Sequence, residues 1–427
     1  MTKIRMLSTL TREEREKIIG RQQDEFKDIE PQVRKIIDDV RMRGAQAVIE
    51  YVKKYDGADL SFLRVTEEEI ARAIQNTPKK LVAALTEAAK NIHRFQEKQM
   101  ISAFRLRSRY GSLGTNVRPF ARVGIYAPGG TAAYPSSVLM GCIPAKVAGV
   151  PELVLCTPPR ANGTVDSAVL VAAELAGATE IYKIGGVQAI AAMAYGIDEM
   201  LPVEKIVGPG NKYVTVAKRL VSADCDIEFL AGPSEILVIA DDTADPEMIA
   251  YDILAQLEHD PDAKAVLVSI SEGFAKSVLS KIETLKDTLP RKEILERAIK
   301  NGLTVLVSGV LEDAIDFAND YAPEHLLLAI RNAEEEMKNI CNAGSIFLGC
   351  WSSVAFGDYC SGPNHILPTM GLAAKRGALS PLDFIKVIPY QRTSRAGAQR
   401  LARIAAEIAR AEGLEAHARA AEARLRK

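Results

Sequence analysis

Histidine is scarce in this sequence. The 427 residues include five, at positions 93, 259, 325, 365 and 417, so chemistry that needs an imidazole has few places to be. Charge of one sign is lacking too: 54 Lys and Arg against 55 Asp and Glu leave a net charge of −1. That balance removes the electrostatic case for nucleic acid or a membrane surface as the main partner. No uninterrupted apolar run reaches the roughly 20 residues that span a bilayer. The opening MTKIRMLSTLTREEREKIIG turns polar too early for a secretion signal. Six cysteines (142, 156, 225, 341, 350 and 360) contain no CxxC pair, which reads as reduced, mostly structural thiols in a cytoplasmic protein. Cys360 falls inside a motif, but nothing beside it would activate a thiolate, and it too reads as structural.

What is present is an ordinary globular composition, 48% apolar and 26% charged, in a chain long enough for two or more cores. Residues 11–100 mix charged and apolar residues at helical spacing, as in PKKLVAALTEAAKNIHRFQEKQM. From about residue 120, short apolar runs alternate with Gly-rich turns and helices: ARVGIYAPGG, ELVLCTPP, EIYKIGGVQAIAAMAYG, EKIVGPGNKYVTVAKRLV and SEILVIADD. This βαβ rhythm predicts a parallel sheet with helices on its faces. A second set follows, with helices near 246–259, 272–287 and 311–319 and strands at AVLVSI, GLTVLVSG and HLLLAI. Two such runs predict two similar α/β domains. After Pro381 the pattern returns to helix, with Leu401, Ile404 and Ile408 on one apolar stripe and Gly413 as its end. Residues 395–427 hold eight Arg or Lys against four Glu, the pattern of a solvated face.

Three Gly-rich turns follow apolar strands: Tyr126-Ala-Pro-Gly-Gly-Thr131, Gly185-Gly-Val-Gln188 and Gly208-Pro-Gly-Asn211. Turns without side chains let backbone N–H groups approach phosphates at a helix N-terminus. The carboxyl ends of parallel strands are also where nucleotides bind. None of the three is G-x-G-x-x-G, and each alone fits a tight turn. Three in one α/β segment favour a nucleotide crevice.

In DPEMIAYDILAQLEHDP, Asp245 suits an N-cap and Pro246 the first helical position. Gln256 and His259 lie three apart, on one face near the helix end. A lone His beside a core stripe also fits a structural role, and there is no HExxH. In YAPEHLLLAI, Glu324 and His325 stand together at the mouth of an apolar strand. Adjacent carboxylate and imidazole suit proton transfer near neutral pH, although Pro-Glu-His alone also fits a solvated turn. FGDYCSGPNHILPT gathers Asp358, Asn364 and His365 among turn-forming residues. Such a loop is costly to hold still unless it serves a site. Asp358 and His365 suit proton transfer or ligation of zinc or manganese. Only His93 of the five histidines sits in plain amphipathic helix, so convergence of the other four on one site is the expectation.

Taken in order, RVGIYAPGGTAAYPSSVLM, GGVQAIAAMAYG, KIVGPGNKYVTVAKR, FLAGPSEILVIAD, AQLEHDPDA, YAPEHL, GDYCSGPNHILPT and EGLEAH resemble the histidinol dehydrogenase family, from about residue 25 to the end. The resemblance implies an α/β fold of two incomplete Rossmann-like domains with parallel sheets, plus helical terminal segments. Residues 1–24 would form an N-terminal helical segment, 25–105 with 232–380 the first domain, 106–231 an inserted second domain, and 381–427 a C-terminal helical arm. It further implies a cytoplasmic homodimer that oxidises L-histidinol to L-histidine in two steps, through bound L-histidinaldehyde. One Zn2+ per subunit and NAD are the implied cofactors.

By motif, Gln256, His259, Asp358 and His417 are the implied zinc ligands, with His417 reaching across from the partner subunit. Glu324 and His325 are the implied proton-transfer residues. Ser234, His365 and Glu412 would hold substrate together with His325 and the zinc ligands. Tyr126, Gln188 and Asn211 match the family's NAD contacts, one from each Gly-rich turn. The stretch LAAKRGALSPLDFIKVIPYQ departs from the family's usual pattern, which leaves room for another small alcohol such as a sulfonated diol. A zinc hydrolase with Glu324 as base would have no use for three Gly-rich turns. A silent binding protein would have no use for an intact acid–base pair.

Overall fold

The computed structural model describes residues 3–20, 28–129, 133–230 and 232–425. Gly130 and Thr131 of the first Gly-rich turn, and Ala231 of FLAGPSE, lie outside the described residues. The chain forms two compact units, residues 1–99 with 121–383 and residues 100–120 with 384–427. Among the described residues no helix is long and apolar enough to cross a membrane.

The larger unit opens with β1 (Ile4–Met6) and five helices: α1 (Arg12–Ile19), α2 (Glu30–Arg43), α3 (Ala45–Asp56), α4 (Glu67–Asn76) and α5 (Lys79–Gln99). The helical spacing of residues 11–100 is thus borne out. Thr11 with Glu14 and Thr66 with Glu69 form capping boxes that fix two of the starts. The chain then supplies β2 (Arg105–Ser108) and β3 (Gly111–Pro119) to the smaller unit before returning.

On return it alternates β4 (Arg122–Tyr126), α6 (Pro135–Ala148), β5 (Glu152–Thr157), α7 (Ser167–Ala176), β6 (Glu180–Lys183), α8 (Gly186–Tyr195), β7 (Lys205–Val207), α9 (Lys212–Val221) and β8 (Asp226–Ile227). These strands form a parallel sheet in the order β6-β5-β4-β7-β8. Every residue of β4 is buried, as a sheet covered on both faces requires. The winding starts at β4, runs outward to β6, then reverses to β7, so a switch point lies between β4 and β7.

The scheme repeats with β9 (Glu235–Ala240), α10 (Pro246–Leu257), β10 (Lys264–Ser269), α11 (Glu272–Leu285), α12 (Lys292–Gly302), β11 (Leu303–Val307), α13 (Leu311–Tyr321), β12 (His325–Ala329), α14 (Ala333–Glu336) and β13 (Ser345–Leu348). Asp245 caps α10, accepting from the N–H groups of Glu247 and Met248, with Pro246 in the first turn. With β1 on one edge the strands run parallel in the order β1-β11-β10-β9-β12-β13. Both expected α/β halves are therefore present. A short helix, α15 (Val354–Tyr359), then carries the GDY motif. All six cysteines are free, and Cys142, Cys156 and Cys225 are buried as expected. Cys360 is exposed, so it packs no core, and its carbonyl accepts a hydrogen bond from Asn91 Nδ2 at 3.0 Å.

The smaller unit departs from the pattern expected after Pro381. Before any long helix comes a strand, β14 (Ile385–Thr393), antiparallel to β3 along its whole length in a sheet ordered β14-β3-β2. Residues 105–119, grouped above with the inserted domain from 106 onward, belong to this sheet instead. Ile385, Val387, Ile388 and Tyr390 favour strand. Pro389 is tolerated because β14 is an edge strand. Helices α16 (Arg395–Ala411) and α17 (Glu415–Glu422) follow, separated at Gly413, whose φ is 75°. Their shared core is alanine: Ala406, Ala409 and Ala418. The expected stripe faces elsewhere, with Ile404 and Ile408 51% and 56% exposed. Small side chains let the two helices approach, and the bulky ones are left outside the hairpin.

The switch-point turn after β7 is tightly held. Gly208 has φ 128°, and a Cβ there would stand 2.0 Å from the Tyr126 carbonyl oxygen. Its N–H donates to Glu228 Oε1 at 2.8 Å, and its carbonyl accepts from Lys218 Nζ at 3.0 Å. Lys218 and Glu228 are themselves a buried pair, 2.5 Å apart. Gly208→Ala is therefore expected to cost at least about 2 kcal/mol of stability. A thermal melt checks this, and an unshifted midpoint would contradict the close approach.

Candidate active site

Chemistry-bearing residues meet at the amino-terminal edge of the six-stranded sheet. Helix α13 stops at Ala322, a non-glycine residue with φ 47°, and Pro323-Glu324 feeds directly into β12. His325, its first residue, pairs in register with Ile236 of β9 and Ser345 of β13, so strands on both sides fix its backbone. Glu324 and His325 are 5% and 4% exposed. A solvated turn is excluded.

The hydrogen bonds set the protons. His325 Nδ1–H donates to the Glu235 carbonyl at 3.3 Å, and Nε2–H to Asp358 Oδ1 at 3.2 Å. Both partners only accept, so the ring carries both protons. Burial alone would lower its pKa, but the Glu324 and Asp358 carboxylates outweigh burial and hold it well above the usual 6.5. Glu324 Oε2 lies 3.6 Å from His325 Nδ1 and accepts the Glu235 N–H at 2.8 Å. For Asp358, burial pushes upward, and the charge of His325 prevails and keeps the carboxyl below its ordinary range. His365 donates from Nδ1 to the Asp358 carbonyl at 2.7 Å, leaving Nε2 to face Ser137 Oγ at 3.4 Å. Burial lowers the pKa of His365, so this ring is the neutral one.

Two residues that the motifs do not single out organise the site. Glu235 is 1% exposed; besides serving Glu324 and His325 through its backbone, its carboxylate accepts Met370 N–H at 3.2 Å and the Tyr321 hydroxyl at 3.5 Å. Met370 and Ala322 are the two non-glycine residues with positive φ among those described, and strain of this kind collects at functional sites. The signal in the sequence was a charged residue opening the otherwise apolar strand EILVIA. Asp252 on α10 accepts from Ser353 Oγ at 2.6 Å, joining α10 to the start of α15. One turn further along α10, Gln256 is buried with its Nε2 unpartnered among the described residues. His259 is exposed beyond the helix end, close enough for its charge to act on Asp358. Ser234, half-buried just before β9, accepts Lys264 N–H on its carbonyl at 3.0 Å.

The remaining residues lie elsewhere. Glu412 and His417 are exposed on the smaller unit. Tyr126, Gln188 and Asn211 sit at the carboxyl ends of β4, β6 and β7 in the five-stranded sheet. The buried Tyr126 hydroxyl, pushed up to about 12 by burial, accepts Gly186 N–H at 3.0 Å. Gln188 is buried in the first turn of α8, and Asn211 caps α9 through the N–H groups of Tyr213 and Val214. Asn364 Nδ2 donates to the Met140 carbonyl at 2.7 Å. That bond and the Ser137–His365 contact tie the GPNH loop to α6. Among the described residues, no group of three or more His, Cys, Asp or Glu is placed to hold a metal.

A histidine raised in the folded state stabilises below its unfolded pKa and loses that contribution as pH rises through the folded value. In metal-free protein, the melting advantage over His325→Gln is therefore expected to be full at pH 6 and to shrink as the solution is made alkaline. An advantage that grows with pH would contradict the double-carboxylate environment.

The histidinol dehydrogenase family model matches residues 19–425. Histidinol dehydrogenase of Methanocaldococcus jannaschii is 44% identical over 99% of both chains. That of Methanopyrus kandleri is 45% identical over 99% of this chain and all of its own. A crystal structure of histidinol dehydrogenase from Elizabethkingia anophelis superposes with a TM-score of 0.94 at 39% identity, covering 100% of this chain and 98% of that one. Those matches run through the α/β halves and the site alike, and the chain belongs to the histidinol dehydrogenase family of oxidoreductases.

Proposed function

We propose that this chain oxidises L-histidinol to L-histidine in two NAD-dependent steps, keeping L-histidinaldehyde in the site between them. The observation that carries the reading is the buried Glu324–His325–Asp358 cluster, a base flanked by carboxylates in a chain of this family. Bound NAD would accept hydride, and bound zinc, which has no redox role, would hold the substrate's nitrogens. Gln256, His259 and Asp358 offer an amide oxygen, an imidazole and a carboxylate, a donor set that suits zinc.

With Asp358 drawn to the substrate, His325 would first release its Nε2 proton to solvent, and the freed Nε2 would then take the hydroxyl proton as hydride leaves. Glu324 takes a proton from the water that adds to the aldehyde, and His325 acts again as the hydrate loses its second hydride. One alcohol and one water thus give one carboxylate, with four electrons going to two NAD. Burial keeps bulk water from the aldehyde. His365, neutral and fixed in one tautomer, presents Nε2 as an acceptor, Ser234 adds a substrate contact, and Glu412 would be supplied by the same second-copy arm as His417. Tyr126, Gln188 and Asn211 stand where a dinucleotide would lie.

The working form is a homodimer in which His417 of a second copy completes the metal site. Supporting this, the smaller unit exposes Leu106, Val387, Ile388, Ile404, Ile408 and Leu414, each more than 40%, the kind of apolar surface that marks an interface.

With NAD in excess and zinc present, two NADH should form per limiting L-histidinol. One NADH would refute the double oxidation, and none from folded, zinc-loaded protein would give up histidinol as substrate. His325→Asn should lower kcat by about 10²–10⁴-fold with little change in KM. Steady-state kinetics checks this; an unchanged kcat would remove His325 from proton transfer.

A further inference from the structure

At the carboxyl end of the five-stranded sheet stands an acidic side chain with no part in the chemistry above. Asp56 closes α3, and its Oδ2 is buried with no hydrogen-bond partner among the described residues. Burial pushes this carboxyl up to about 6. Leaving a buried acceptor unpaired costs about 1–3 kcal/mol, so the position asks for a donor. Its surroundings belong to the turns that follow three consecutive strands. Its charge reaches the hydroxyl of Tyr126, the last residue of β4. Beside it Gly57, with φ 71°, faces the loop after β5, where a Cβ would stand 3.8 Å from Ala161 Cβ. Pro158 of that loop packs against Gly129 after β4 and Gly185 after β6, within 2.5 and 2.6 Å of where their Cβ atoms would be.

In dinucleotide-binding sheets wound this way, the phosphates lie over the first strand, and an acidic residue farther along receives a hydroxyl of the adenosine ribose. Here the second strand ends in Thr157-Pro158-Pro159, with no carboxylate to offer. We infer that Asp56, brought in from α3, is the ribose acceptor and makes the site prefer NAD to NADP. A 2′-hydroxyl would donate to it, whereas a 2′-phosphate would bring no donor and meet like charge. The inference rests on the NAD reading given above.

Calorimetric titration of the full chain with NAD and with NADP tests it, using the unaltered protein, Asp56→Asn and Asp56→Ser. Asp56→Asn keeps the shape, and its melt shows that the fold is intact. The unaltered protein should favour NAD by at least about tenfold, and both variants should narrow that preference by about tenfold or more, the worth of one charged hydrogen bond. Variants that keep the unaltered ratio would overturn the role of Asp56 and leave NAD in place. Unaltered protein that binds neither nucleotide would overturn the NAD reading, and this inference with it.

Discussion

The Asp358 carboxylate holds the site together. It accepts from His325 at 3.2 Å, its own carbonyl accepts from His365 at 2.7 Å, and the charge of His259 reaches it. Two of the chain's five histidines, His325 and His365, are therefore fixed by one short helix, α15. Taking one partner from a buried ion pair costs about 3–5 kcal/mol, because the other charge is left stranded. The position of α15 is thus as important as any ligand, and the Asp252–Ser353 bond that joins it to α10 serves that end. The same cluster divides the imidazoles by role. His325, between two carboxylates, is charged in the metal-free chain, while His365, beside a hydroxyl and a carbonyl, is neutral. One can give up or take a proton as charge nearby changes; the other holds its tautomer.

The two parallel sheets contribute opposite ends. Glu324 and His325 stand at the amino ends of β9, β12 and β13, whereas the Gly-rich turns stand at the carboxyl ends of β4, β6 and β7. Helix α6 spans the interval: it follows the first Gly-rich turn, and its Ser137 and Met140 meet His365 and Asn364 of the site loop. A cofactor over one sheet and a substrate over the other would thus face each other across a single helix start.

Much of this was legible in the sequence, for physical reasons. Buried parallel strands read as short apolar runs, so both sheets were visible, and Asp245-Pro246 announced α10. Scarcity made the histidines conspicuous, and Glu324-His325 stood out because polar residues seldom open an apolar strand. Glu235 was missed although it opens a strand in the same way, since half of its work is done by its backbone, which no side-chain pattern reports. Asp252 was missed because its partner is 101 residues away. The strand β14 was hidden by Pro389 and by the helix after it, and its pairing with β3 joins segments far apart in sequence. Hydrophobic spacing on α16 marked a real stripe but not what the stripe meets: alanines fill the contact with α17, and the isoleucines are exposed.

That exposed stripe bears on the central claim, that two copies build one site. His417 belongs to the smaller unit, which also carries that stripe, and Gln256 belongs to the larger. The most direct measurement is to mix His417→Ala protein with Gln256→Ala protein, each inactive alone, under conditions that exchange subunits. Half of the dimers would then be mixed, each with one intact site, and recovery of about a quarter of the unaltered activity is the expected result. No recovery in verified heterodimers would contradict an arm that crosses between subunits.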